Sequence, residues 1–462
     1  MKNKLLLSIF AICMLVVTSC SDLLDVEPKQ SIDADQALNT PQKVEAAVIG
    51  AYDDLSSVDL LGGTVIYGSD LLGDDGSVTW FGTFSQPDEL WSKNILTDNS
   101  FVRDVWLQGY ETIDATNNAL SALDVIEDSD MRNRVEGQAK LIRGIVYFEL
   151  VRLFGRDWSD GDPSQNPGVP IALEPTRDFD NPPTSRSSVE DVYIQVINDL
   201  TDAKALLPSN IEIDNTVLGN TYVASAYLSR VYLQQREYED AGLEAGRVIN
   251  SGNYSLTPLV SGAFNNPTNS TEDVFAVQVS DQDGANDMNT FYAGSQYSGR
   301  EDIELTGYFD LFTGLFDSDD DTRDDFIHFG ASFGGPLTSK WTNFRNGNIN
   351  IVRLAEMYLT RGEASFRTGN DINGFPAEDD FNMVRSRAGQ EDIDATDIDL
   401  DYIFTERYIE LAFEGHVLHD TKRFERSASG IPWNDPSLIF PIPQREIDAS
   451  GGELEQNEGY GS

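Results

Sequence analysis

The chain has 462 residues, and its 78 Asp and Glu against 32 Lys and Arg give a formal charge of −46. A body this acidic repels nucleic acid and anionic lipid surfaces, which argues against nucleic acid as a partner. Two cysteines, Cys13 and Cys20, both near the N-terminus, leave the rest of the chain without a thiol for disulfides, thiolate metal sites or cysteine catalysis.

Lys2 and Lys4 precede a short apolar stretch, Leu5 to Val17, and Thr18-Ser19-Cys20 follows. Such a stretch is too short to cross a bilayer and predicts a lipoprotein signal peptide over 1–19, with cleavage before a lipidated Cys20. Several acyl chains on Cys20, each buried CH₂ contributing about 0.8 kcal/mol, would anchor the body to a membrane. Residues 20–39 read as an extended leader, and 40–462 as one domain.

Thr40 as N-cap with Pro41 in the first turn opens a helix, and apolar residues at helical spacing continue it to Leu55. From Gly62 to Asn99, glycines, acids and aromatics lack a helical period, which predicts a long irregular loop region. Long helices are predicted over 101–126 and 131–154, the second capped by a left-handed Gly155. Ser187 and Glu190 suggest a capping box for a helix ending at Pro208. The pair 221–235 and 238–249 carries Tyr232, Tyr238, Ala241 and Ala245 at the aromatic and small-residue spacing of tetratricopeptide repeats, and 351–369 has similar character. Between them, 251–348 reads as a second loop-rich region with a strand near Val274–Val279. One further helix is expected over 402–424. The fold class is mainly α: a tetratricopeptide-like scaffold (40–60, 100–250, 350–430) with a loop-rich ligand-binding part (62–99, 251–348) and a few short strands.

Motifs for catalysis are weak. Gly330-Ala331-Ser332-Phe333-Gly334 matches the nucleophile-elbow pattern, but Gly335-Pro336 opposes the helix that must follow it. Asp317, Asp319 and Asp321 start like a calcium loop yet lack its glycine and final glutamate, so a solvated acidic loop capped by Arg323 is expected. A structural calcium ion is the one cofactor left open. His416 and His419 share a helical face without a third ligand of that kind and are read as packing or solvent-exposed residues.

The aromatic residues of the two loop-rich regions carry more. Sugar rings offer C–H patches to π faces and hydroxyls to polar groups, so exposed aromatics beside Asp, Asn and Arg suit a glycan site. The candidate glycan-binding residues are Trp80, Phe81, Asp75, Tyr292, Tyr297, Arg300 and Trp341, whereas Trp106, on a helix, is expected in the core.

Further motifs run through the chain: Cys20-Ser-Asp22, Arg353-Leu-Ala-Glu-Met-Tyr-Leu359 with Gly362-Glu-Ala364, Asn382-x-Val384-Arg-x-Arg387-Ala-Gly389, Glu406-Arg407-x-x-Glu410-Leu-Ala-Phe-Glu414-Gly415 and Pro441-Ile-Pro443. Together they resemble the SusD/RagB family of Bacteroidetes surface lipoproteins. The chain departs from the family pattern at His416-Val417 and Thr421. The resemblance implies about four tetratricopeptide-like helix pairs, no catalysis, a lipid anchor on the outer face of the outer membrane, and delivery of an oligo- or polysaccharide to a SusC-like TonB-dependent transporter. It also implies that Glu406, Arg407, Glu410 and Arg423 form buried ion pairs that order the scaffold. The negative charge favours a neutral β-glucan or fructan. The rival readings are a tetratricopeptide scaffold binding a protein or peptide in its concave groove, and a lipid-anchored glycosidase with two carboxylates flanking the aromatics.

Overall fold

The structure is a computed structural model and describes residues 37–177, 185–209, 217–280, 282, 286–308 and 321–461. The expected signal peptide, Cys20, Asp317 and Asp319 lie outside the described residues.

Helix α1 (Pro41–Leu55) starts as its sequence requires: Thr40 accepts from the Lys43 N–H, and Val44, Val48, Ala51 and Leu55 turn inward. The next helix, α2 (Thr64–Gly73), corrects the expected irregular region. Every one of its residues is buried, so it has no polar face and leaves no amphipathic period to read. A short α3 (Ser85–Trp91) follows, then α4 (Ser100–Ser121) and α5 (Ser129–Phe154), capped by the side chains of Asn99 and Asp128. Gly155 is not left-handed; its φ is −105°, and a Cβ there would lie 2.7 Å from the Val151 carbonyl. The cap of α6 (Val189–Leu206) is Ser188 rather than Ser187.

The pair α7 (Thr221–Gln235) and α8 (Tyr238–Ile249) has the expected bounds. After α9 (Asp287–Tyr292) come α10 (Leu354–Thr368), ended by left-handed Gly369, and α11 (Ala377–Arg387). The single helix expected over 402–424 is two, α12 (Leu400–Glu410) and α13 (Val417–Arg423). The chain turns between them, with left-handed Phe413 and Gly415. A short α14 (Gln444–Ala449) precedes the tail.

Helices α1, α4, α5, α6, α7, α8, α10 and α11 pack each on the next, a tetratricopeptide-like stack. Small residues set its spacing: a Cβ on Gly242 of α8 would lie 2.7 Å from the Ala364 Cβ of α10. Among the described residues, six short strands, β1 (Thr79–Trp80), β2 (Asp273–Val277), β3 (Ile303–Glu304), β4 (Ile327–Phe329), β5 (Pro336–Thr338) and β6 (Ile349–Arg353), form the antiparallel pairs β1–β3, β2–β6 and β4–β5. Leu305 N–H donates to the Pro336 carbonyl and ties the first pair to the third.

The motif charges are buried between these parts. Arg353 meets Glu272 at 2.6 Å, Glu414 at 2.7 Å and Glu410 at 3.1 Å. Arg323 meets Asp321 and Glu406 at 2.7 Å each. Asp420 joins Arg407 at 3.0 Å to Arg423 at 2.7 Å, and Arg423 also bonds Glu363. Asp321 is therefore a buried partner of Arg323 rather than part of a solvated loop. Burial alone would raise the Glu410 carboxyl, but the arginines around it hold it down at about 2. His416 and His419 are packed beside this network, and burial keeps both neutral.

Candidate functional site

Burial divides the seven sequence candidates. Trp80, at 5% exposure, sits opposite Ile303 in the β1–β3 ladder, and its ring meets the Phe291 ring edge-on at 5.6 Å. Trp341, at 4%, packs on Phe264 and donates its indole N–H to the Phe413 carbonyl. Tyr292 is fully buried and donates to Asp70 at 3.0 Å. None of the three presents a face to solvent, which corrects the expectation that they are stacking platforms. Their rings close the core beneath the short strands.

Phe81, Tyr297, Arg300 and Asp75 do reach the surface. Asp75 accepts from Ser77 at 2.6 Å and Tyr408 at 3.0 Å, away from the others on the turn before β1. The remaining three lie where one loop, 294–302, bridges the end of β1 and the β4–β5 hairpin. Phe81 N–H donates to the Asp302 carbonyl at 2.7 Å on one side. On the other, Gln296 donates to the Phe329 carbonyl and accepts from the Ala331 N–H, both at 3.1 Å.

This bridge gathers aromatics missed by sequence reasoning. Phe84 lies under the Arg300 guanidinium, 4.8 Å from ring centre to Cζ. The hairpin carries Phe329 at 57% exposure and Phe333 at 75%, and Phe81, at 58%, lies on the other side of the bridge. Tyr297 meets the His328 ring edge-on at 5.2 Å. The bridge and its two neighbours thus display Phe81, Phe84, Tyr297, Phe329 and Phe333, although soluble proteins bury most such rings.

Its charges are mostly spent. Arg300 donates to Asp302 at 2.6 Å and to Thr83 at 3.1 Å. Glu301 accepts from Ser295 N–H and Oγ–H and from the N–H groups of Ser332 and Phe333, all between 2.6 and 3.2 Å. Burial would raise this carboxyl, but those donors outweigh it and hold it at about 2. Burial pushes the His328 imidazole down, so it is neutral at physiological pH.

The G-x-S-x-G match is the tip of the β4–β5 hairpin. No helix follows the serine, so the strand–turn–helix of a nucleophile elbow is absent. Ser332 Oγ–H donates to Ser295 Oγ at 2.8 Å, and Ser295 donates to Glu301, a carboxylate too acidic to act as a base near neutral pH. The signal that identifies Phe333 is therefore an exposed aromatic at a glycine-rich hairpin tip, not the serine beside it.

Comparison with known proteins agrees with this architecture. The family described as starch-binding and associating with the outer membrane matches residues 22–233, and the SusD family matches 320–436. SusD-like protein P38 of Formosa agariphila is 24% identical over 99% of both chains. SusD-like protein P2 of the same organism is 28% identical over 200 residues, only 43% of this chain and 37% of that protein. The crystal structure of a putative sugar binding protein from Bacteroides vulgatus superposes with a TM-score of 0.79 at 25% identity, covering 92% of this chain and all of that one. With helical stack, buried motif charges and these matches together, the chain belongs to the SusD/RagB family of carbohydrate-binding, outer-membrane-associated proteins.

Proposed function

We propose that this protein is a non-catalytic glycan receptor, anchored through lipidated Cys20 on the outer face of the outer membrane. It captures a neutral oligo- or polysaccharide and passes it to a SusC-like TonB-dependent transporter. The observation that carries this reading is the cluster of exposed aromatics on the 294–302 bridge and its two neighbours, where Phe81, Tyr297 and Phe333 offer π faces beside amide and carboxylate groups. Neutral polymers such as β-glucans or fructans fit this surface best. Arg300 is neutralised by Asp302, and the nearby Glu301 and Glu304 are acids, so an anionic chain would meet repulsion. Glu301 and Asp302 are also committed to donors of their own, which supports binding over glycoside hydrolysis.

Affinity electrophoresis of the chain lacking residues 1–20, in gels with neutral and anionic polysaccharides, tests the reading. Retardation by a neutral glycan, weakened in Phe81→Ala, Tyr297→Ala and Phe333→Ala, is expected, without release of reducing ends. Retardation by none of a broad panel would transfer the function to a peptide-binding scaffold. Cys20→Ala is expected to move the protein from the membrane to the soluble fraction.

A further inference from the structure

Glu301 is almost completely buried yet faces no cation within salt-bridge distance among the described residues; its charge is met by hydrogen-bond donors alone. The donors come from two separate segments. Ser295 belongs to the bridge loop that carries Tyr297 and Arg300, and Ser332 and Phe333 belong to the hairpin tip. The backbone is shaped for this contact: Glu301 itself is left-handed, with φ 60°, as is Ser298. A non-glycine residue is disfavoured there, so the surrounding bonds must impose it. Gly330 makes room, since a Cβ on it would lie 2.3 Å from Glu301 Oε2. A second tie, Ser332 Oγ–H to Ser295 Oγ at 2.8 Å, runs parallel to the carboxylate clasp.

We propose that Glu301 is a positioning residue for glycan capture: its carboxylate clasps the hairpin tip to the bridge loop and holds the Phe333 ring in register with Tyr297. The inference rests on the glycan-receptor reading of this surface. Its physical content is preorganisation. A glycine-rich tip released from the clasp would have to be ordered by the ligand, and each side chain immobilised on binding weakens affinity. The low proton affinity of this carboxyl keeps the clasp charged at every pH at which the protein would work.

The test uses the full mature chain and two independent readouts. Hydrogen exchange comes first. In Glu301→Ala, amides of 330–335 and 294–299 are expected to exchange faster, with the amides of α5 and α10 unchanged; unchanged exchange at the tip overturns the clasp. Glu301→Gln, which keeps the volume and one acceptor oxygen, is expected to fall between, and it serves if the alanine variant fails to fold. The second readout is a double-mutant cycle on the neutral polysaccharide that retards the wild type most strongly. Glu301→Ala is expected to weaken retardation about tenfold in the wild type and to add little in a Phe333→Ala background. Equal losses in both backgrounds would overturn positioning through Phe333. If no polysaccharide retards the wild type, the glycan-receptor reading fails and the positioning role falls with it, while the exchange result still reports whether the clasp exists.

Discussion

The buried charge network around Arg353 and the aromatic bridge around residues 294–302 use polar groups in opposite ways. In the network, cation and carboxylate neutralise one another inside the protein: Arg353 alone faces Glu272, Glu410 and Glu414. In the bridge, Glu301 is met by N–H and O–H groups and the aromatics around it point outward. A buried ion pair contributes little net stability against an apolar replacement, but it admits only one arrangement of its partners. The comparison therefore separates a region where charge fixes how helices meet from one where backbone donors fix how loops present rings.

The largest expected effect tests the first half of that contrast. Arg353→Met takes one cation from each of three buried carboxylates, leaving Glu272 and Glu410 to Arg387 and Glu414 to Lys340, and removing one partner of a single buried pair already costs about 3–5 kcal/mol. The variant is expected not to reach the native state, seen as loss of the cooperative urea transition. A native-like transition would show that the network is dispensable. Trp80→Ala comes next, at about 3–5 kcal/mol for a buried tryptophan. The midpoint of urea denaturation is expected to fall while any glycan retained by the folded fraction binds with unchanged affinity. Unchanged stability with lost binding would return Trp80 to the site and break the division between buried and displayed aromatics.

That division is the part least legible in the sequence. Local signals were readable: Thr40 and Pro41 mark a helix start, and Tyr238 to Ile249 shows its period directly. The motif charges were readable as ion pairs through the family resemblance, and Glu406, Arg407, Glu410 and Arg423 are buried and paired. Helix α2 was not readable, because burial on all sides removes the polar face that periodicity depends on. The break between α12 and α13 was hidden because apolar residues continue through the turn from Leu411 to Phe413. Whether Trp80 or Phe81 faces solvent depends on the pairing of β1 with β3, more than two hundred residues away, and neighbours in a strand point to opposite sides. Both are candidates by sequence, and Trp80 is the inward one.

A pH experiment sharpens the contrast from the side of a single buried carboxyl. Burial pushes Asp70 up to about 7, only partly offset by hydrogen bonds from Tyr292 and Gly415 and reinforced by nearby Glu414. In the unfolded chain it titrates near 3.9. The folded state therefore binds the proton more tightly, so this group's contribution to stability is full below about pH 4 and is lost as pH rises through about 7. The slope is on the order of 1 kcal/mol per pH unit within that window. Asp70→Asn is expected to remove this component, making urea midpoints at pH 5 and pH 8 more alike than in the wild type. The Glu410 and Asp420 carboxyls, each held at about 2 in the folded state, act with the opposite sign. Their stabilisation is complete above about pH 5 and is lost as pH falls toward 2. An Asp70→Asn variant with the wild-type profile between pH 5 and 8 would mean that the charge beneath the strands is solvated rather than buried.

The smallest expected effect on stability belongs to Phe333, and it is the most informative about function. At 75% exposure its ring contributes little to the core, so Phe333→Ala is expected to leave the urea midpoint within about 0.5 kcal/mol of the wild type. Retardation by a neutral polysaccharide is expected to weaken about tenfold, equivalent to about 1.4 kcal/mol of binding. Placed beside Trp80→Ala, this variant should exchange the two readouts: one loses stability and keeps affinity, the other keeps stability and loses affinity. That exchange follows from geometry alone, since the two rings belong to the same aromatic-rich part of the fold and differ in which way they face. If Phe333→Ala loses neither, the displayed rings are not the glycan platform.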